Sequence, residues 1–385
     1  MASRHLVSAV SLALVALFGL AFARSPARAD TLIGLATPLS GPVAWTGART
    51  AEGAELAIAV LNKKNGVLGQ RIRMITVDDN CSGDQAVAAA NKLVEAGVVA
   101  VVGHDCSGAA IPASVVYAKA RILMISTFAT NPQLTERGLQ DVFRTVGRDD
   151  VQGRMAADFL IERFGNKPIG ILHDGLPYGK GLAEEVKKQL NAHGITEALF
   201  AAIDPGKTDY SDVVQKLQAT GVAVLYYGGY PPEAGLIIRQ AREQGYDLQL
   251  VGGDGVATED FWMIAGPAAA EGTFVTYVPN TLVTHVPNPT TSEGDLVKAL
   301  AGRKATEVQS IVSAYAAVQA WAQAAEKAGT VQPGAVAKAL HSYQFDTVLG
   351  RIGFDEKGDV TGYSTFDWFV WSHGDIVPLK SVAVQ

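Results

Sequence analysis

Cysteine is almost missing from this chain: two residues, Cys81 and Cys106, among 385. At that count a multi-cysteine metal centre and a disulfide-dense scaffold are both excluded. Surplus positive charge is missing as well. Lys and Arg total 32 against 38 Asp and Glu, with no basic stripe interleaved with aromatics, which argues against nucleic acid as a partner. Beyond residue 29 no apolar run is long enough to span a bilayer, and low-complexity segments and short internal repeats are absent. The motifs of common catalysts are absent too: no G-x-S-x-G elbow, no P-loop, no H-E-x-x-H and no G-x-G-x-x-G opening a helix after a strand. Gly179-Lys180-Gly181 is only a helix start. The seven histidines are scattered, with no pair at metal spacing. His104-Asp105 and His173-Asp174 each follow a strand, but neighbours in extended backbone point apart, so neither reads as a dyad. Asp78-Asp79 reads as a solvated turn. With no nucleophile, base and oxyanion donor converging, the chain reads as a binder rather than an enzyme, needing no cofactor and no metal.

What is present starts with an export signal. Arg4 and His5 make a basic start, Leu6 to Ala23 is apolar, and Ala27-Arg28-Ala29 fits the small-x-small cleavage rule. Cleavage after Ala29 is expected, with Ala21-Phe22-Ala23 a second candidate and an uncleaved membrane anchor the competing reading. No cysteine follows the segment closely, which argues against a lipid anchor. The mature chain of about 356 residues suits two domains. Without Arg4, Arg24 and Arg28 it carries 29 basic against 38 acidic side chains, a net charge near −9. Two cysteines in an exported chain point to one disulfide, two buried thiols being the alternative.

Short apolar runs alternate with helical patterns. Leu32–Leu35, Ile72–Val77, Val98–Val102 and Ile122–Ser126 are strand candidates in the first half, separated by helices at about 47–64, 85–96 and 108–120. The alternation resumes with strands at Ile169–Leu172, Ala198–Ile203, Val222–Tyr227, Leu248–Val251 and Thr273–Tyr277, and helices near 179–193, 210–219 and 232–244. Continuous apolar strands between helices mean parallel sheets covered on both faces, so the fold class is α/β, in two doubly wound units. A first boundary falls near Arg144–Asp150 and a second in the Pro-rich stretch Pro279–Pro289. Helical patterns at 307–327 and 333–341 follow with no new βαβ series, and are expected to return to the first unit.

The stretch Val101 to Pro132 reads as strand, turn, helix, strand, turn. Both turns lie at carboxyl ends of strands, where open parallel sheets bind small ligands. The first turn sets Cys106-Ser107-Gly108 at a helix start; the second runs Ser126-Thr127-Phe128-Ala129-Thr130. A helix amino terminus with a hydroxyl is ready to hold an anion, so the pair of turns suggests a pocket for a small carboxylate.

From about Thr31 onward the chain resembles the periplasmic leucine/isoleucine/valine-binding proteins, type I solute receptors of bacterial ABC importers. The resemblance is carried by Leu39-Ser40-Gly41-Pro42 with Trp45, the Cys81/Cys106 pair, Ala129-Thr130-Asn131-Pro132, Tyr226-Tyr227-Gly228-Gly229-Tyr230, Glu271-Gly272, Tyr315-Ala316-Ala317-Val318-Gln319 and Asp355-Glu356-Lys357-Gly358-Asp359. It implies two lobes joined by a three-crossover hinge: residues 30–149 plus about 281–357, and 150–280 plus about 358–385. It also implies a periplasmic monomer, an aliphatic amino acid as ligand, and membrane permease subunits as partners. In the site it implies, the Ser107 hydroxyl and N–H and the Thr130 N–H hold the carboxylate. The Thr130 hydroxyl, the Phe128 carbonyl and Asp254 hold the ammonium, within the segment that includes Ala129. Trp45, Cys106, Phe128, Tyr178 and Tyr230 line the rest.

Read without the resemblance, Ser107 serves equally as a helix cap, Thr130 and Asp254 as turn formers, and Trp45 and Tyr230 as core aromatics. Three positions depart from the family pattern: Asp254 stands where glutamate is common, Phe128 where a small residue is, and about Ser310 where an aromatic is. A short amide, a urea-like compound or an aromatic carboxylate is the rival ligand, and an exported α/β hydrolase the rival class. Asp254 favours the amino acid, because a neutral amide leaves a buried carboxylate without a cation.

Overall fold

The computed structural model describes residues 29–279 and 291–379. The expected export signal, up to residue 28, and most of the Pro-rich stretch lie outside the described residues. In the first unit β1 (Thr31–Thr37), β2 (Ile72–Asp78), β3 (Ala100–Gly103), β4 (Leu123–Ser126) and β5 (Val142–Arg144) form one parallel sheet in the order β2-β1-β3-β4-β5. Helices α1 (Ala44–Lys63), α2 (Gly83–Glu95) and α3 (Ser107–Ala120) connect the first four strands. From β1 the chain goes first to one side and then to the other, so the order reverses between β1 and β3. A crevice opens there beyond the strand ends. Cys81, after β2, and Cys106, before α3, are joined as a disulfide with Cα atoms 5.3 Å apart.

The second unit repeats the plan. Strands β6 (Ile169–His173), β7 (Leu199–Ala202), β8 (Val224–Gly228), β9 (Gln249–Gly252) and β10 (Phe274–Tyr277) run parallel, with helices α4 (Asp149–Phe164), α5 (Pro177–Ala192), α6 (Ser211–Ala219) and α7 (Pro231–Glu243) around them. Here the order reverses between β6 and β8. The helix Ala305–Ala328 returns to the first unit and packs on α1. A Cβ on Gly53 would lie 2.1 Å from the Ile311 carbonyl oxygen, so only glycine permits that approach. Tyr315 and Trp321 from this helix join Ile33, Leu35 and Phe143 in the first core, together with Val336 and Leu340 of the helix Pro333–Ser342.

The end of the chain departs from the sequence pattern. Beyond residue 344 it is antiparallel: β11 (Phe345–Thr347), β12 (Gly350–Phe354) and β13 (Val360–Thr361) form a small sheet. Next, β14 (Asp367–Ser372) and β15 (Asp375–Pro378) extend the second sheet beside β10. Where the chain passes between the units, Arg144 pairs with Asp359 at 2.7 Å and Arg148 pairs with it at 2.6 Å. Among the described residues no helix is long and apolar enough to cross a membrane.

Candidate functional site

The two reversal points face each other, and a narrow cavity lies between them, lined from both units. On the first wall, Cys106 precedes α3 with extended backbone and Ser107 is the first helical residue, 1% exposed. Its hydroxyl oxygen accepts from the Asn131 N–H at 3.2 Å, which leaves the hydroxyl proton free to be donated. The first N–H groups of α3 have no partner inside the helix and add partial positive charge. The neighbouring turn after β4 is braced from behind: Arg144 donates to the carbonyls of Ala129, 2.9 Å, and Asn131, 3.1 Å.

The second wall is built around Asp254, in a one-turn helix after β9 and 1% exposed. Its Oδ1 accepts from the Tyr178 hydroxyl and from Gln152 Nε2, each at 2.8 Å, while Oδ2 has no partner. The Tyr178 oxygen also accepts from the Gly255 N–H at 2.9 Å, so the ring is pinned. Tyr230 stands 5.3 Å from it, centroid to centroid. The walls touch: Asn131 Nδ2 donates to the Pro177 carbonyl at 2.6 Å.

A second acid shares this region. Asp149, the first residue of α4, is 1% exposed, and neither carboxylate oxygen makes a formed hydrogen bond. Burial, then the Asp254 charge, pushes its carboxyl well above the usual range; the nearby Thr130 hydroxyl, itself without a formed bond, works against the rise. Burial likewise pushes Asp254 up, opposed by the bonds from Gln152 and Tyr178. Asp254, the one of the two that lines the cavity, is therefore a strong acceptor for a cation, with the buried Asp149 charge beside it adding to the attraction.

Of the nine residues expected to contact a ligand, Cys106, Ser107, Phe128, Tyr178, Tyr230 and Asp254 line the cavity. Ala129, Thr130 and Trp45 do not. Ala129 is fully buried with its carbonyl held by Arg144 and its N–H by Ser126 Oγ, and Thr130 is buried beside Asp149. Trp45 lies on α1 with the Arg49 guanidinium 5.0 Å from its ring. The next residue, Thr46, faces the cavity instead, as adjacent helical residues point about 100° apart. Phe128 lines the cavity and leans on the second unit's core, which Val256 and Phe261 help form, rather than on its own.

Sequence reasoning missed Asp149, Gln152, Thr46 and Asp105. At a helix start Asp149 and Asp150 look like ordinary complements of the dipole, and nothing local shows which one turns inward. It also misread Asp79, which is no solvated turn residue. Asp79 is fully buried and pairs with His104 Nδ1 at 2.6 Å, whose Nε2 is 3.0 Å from the Tyr117 hydroxyl.

Comparison with known proteins agrees with this architecture. The periplasmic binding protein family model matches residues 31–366. The Leu/Ile/Val-binding protein homolog 1 of Brucella suis is 43% identical over 368 residues, 95% of this chain and 96% of that protein. The leucine-, isoleucine-, valine-, threonine-, and alanine-binding protein of Pseudomonas aeruginosa is 40% identical over 355 residues, covering 90% and 92%. Among solved structures, the branched-chain amino acid transporter substrate binding protein LivJ of Streptococcus pneumoniae, in complex with isoleucine, aligns with a TM-score of 0.78 at 25% identity, over 90% of this chain and 97% of that one. The chain belongs to the periplasmic binding protein family.

Proposed function

We propose that this protein is the periplasmic receptor of an ABC importer and binds a short aliphatic, branched α-amino acid between its lobes. The observation that carries the reading is the unpartnered Oδ2 of buried Asp254 beside Asp149, across the cavity from Ser107 and the amino end of α3. An α-amino acid presents a cation and an anion on one carbon, and this cavity sets the buried carboxylate of Asp254 on one wall and the Ser107 hydroxyl with the amino end of α3 on the other. Ser107 with the amino end of α3 takes the carboxylate, and Asp254 with the Phe128 carbonyl takes the ammonium; Thr130 and Asp149, which do not line the cavity, stand behind them, Asp149 adding its charge. Cys106, Tyr178 and Tyr230 enclose the rest, with Ala129 and Trp45 supporting from behind. The lobes are residues 30–149 with about 281–357 and residues 150–280 with about 358–385. Ligand favours the closed arrangement of a hinge, and the closed monomer, exported by cleavage after Ala29, docks on permease subunits. No bond is made or broken in the cargo.

A thermal-shift screen of the mature protein with the twenty amino acids, urea, short amides and benzoate tests this. Leucine, isoleucine or valine at 100 times its Kd should stabilise by about 2.7 kcal/mol. A shift with urea, an amide or benzoate and with no amino acid would overturn the reading.

A further inference from the structure

Asp105 lies between His104 and Cys106, lines the cavity and is 3% exposed, yet the reading above gives it no task. All three of its bonded side-chain partners are hydroxyls. Oδ2 accepts from Thr37 at 2.6 Å and from Thr50 at 2.9 Å, and Oδ1 accepts from Thr127. These threonines come from the end of β1, from α1 and from the turn after β4, so the carboxylate is held rigidly from three sides. A carboxylate has about four acceptor positions; three are filled by neutral donors, and Oδ1 has one to spare. Burial is the main influence on this carboxyl and pushes it up to about 6.

Its position in the cavity matters. Asp105 precedes Ser107 by two residues and shares the first wall with Pro38, Val43 and Thr46. With the carboxylate at Ser107 and the ammonium at Asp254, this is the wall left for the ligand's side chain. It is mixed: Pro38 and Val43 are apolar, while Thr46 adds a hydroxyl beside the Asp105 carboxylate. A wholly hydrocarbon side chain would cover a buried carboxylate and satisfy nothing.

We propose that Asp105 sets the specificity of this receptor by accepting a hydrogen bond from a donor on the ligand's side chain. An amino acid with a hydroxyl or an ammonium at its β- or γ-carbon is then held more tightly than the hydrocarbon of the same shape. The inference rests on the proposal that the cavity holds an α-amino acid by its two charged ends.

Calorimetric titration of the mature protein with two shape-matched pairs tests it: threonine against valine for a hydroxyl, and 2,4-diaminobutyrate against norvaline for an ammonium. The expected result is that the donor-bearing member of at least one pair binds tenfold tighter or more, about 1.4 kcal/mol. In Asp105→Asn that ratio should fall at least threefold. Asp105→Leu should bring it to one or below; if that variant does not fold, the Asn variant decides, because a ratio of two ligands on one protein cancels changes in stability. Ratios below tenfold in both pairs with valine or norvaline bound normally, or a ratio unchanged in Asp105→Asn, overturn the assignment of Asp105 alone. Failure of every amino acid to bind overturns the underlying reading and this one with it.

Discussion

Asp254→Asn is the sharpest perturbation of the proposed site, because it should separate binding from stability. In the free protein Asp254 Oδ1 already takes the bonds from Tyr178 and Gln152, and an asparagine carbonyl can take both in the same place. What disappears is a buried negative charge next to Asp149, with an oxygen that no group satisfies. The ligand-free variant should therefore melt no lower than wild type. Binding should suffer instead. Removing one charged partner from a buried ammonium costs about 2–5 kcal/mol, which raises Kd roughly 30- to 4,000-fold. Asp254→Glu keeps the charge and should lose far less. Calorimetric titration with valine, alongside thermal melts without ligand, measures both sides. Equal affinity in wild type and Asp254→Asn would remove Asp254 from the site, and a large drop in the melting temperature would mark it as structural.

Binding should release protons, since an arriving ammonium lowers the raised carboxyls of Asp149 and Asp254; affinity then rises with pH through the acid range, and enthalpies in buffers of different ionisation heat should differ. Proton uptake would contradict this. Asp105, raised from 3.8 to about 6 by burial, favours folding below the unfolded value, and that contribution is lost as pH climbs towards 6. The full loss is about 3 kcal/mol, about 2 kcal/mol of it between pH 4 and 6, and denaturant titrations at those two pH values should show a smaller difference in Asp105→Asn than in wild type. Phe128→Ala should raise the phenylalanine-to-valine affinity ratio by about 1–3 kcal/mol, because the ring lines the cavity. An unchanged ratio with a stability loss of about 3–5 kcal/mol would make Phe128 a packing residue only.

The parallel sheets were legible in the sequence because their strands are short, apolar and buried on both faces. Ile169–His173 and Val224–Gly228, for example, are fully buried runs. The C-terminal strands were not legible. Asp367–Ser372 mixes two tryptophans with polar ends, and its antiparallel pairing with β10 depends on contacts almost a hundred residues away. At the site, a hydroxyl at a helix start after a strand pointed to Ser107, and the family resemblance to Phe128, Tyr178 and Tyr230. The acids Asp105 and Asp149 stayed hidden for a shared reason: each sits where an exposed carboxylate would look ordinary, and only the packing of the other elements turns it inward. Trp45, expected at the site from the resemblance, shows how finely helix phase decides a contact. One position decides which side chain faces the cavity, and the smaller Thr46 occupies it.

The central claim is that one cavity grips both ends of an α-amino acid, and isothermal calorimetry with valine and its two truncated forms tests it most directly. Isobutylamine keeps the ammonium and loses the carboxylate; 3-methylbutanoate does the reverse. Each missing end leaves buried polar groups unsatisfied, at a cost of several kcal/mol. Valine should bind, and both single-ended compounds should be weaker by at least a hundredfold, about 2.7 kcal/mol. If either single-ended compound binds as tightly as valine, the two-ended grip proposed for Ser107, Asp149 and Asp254 is contradicted.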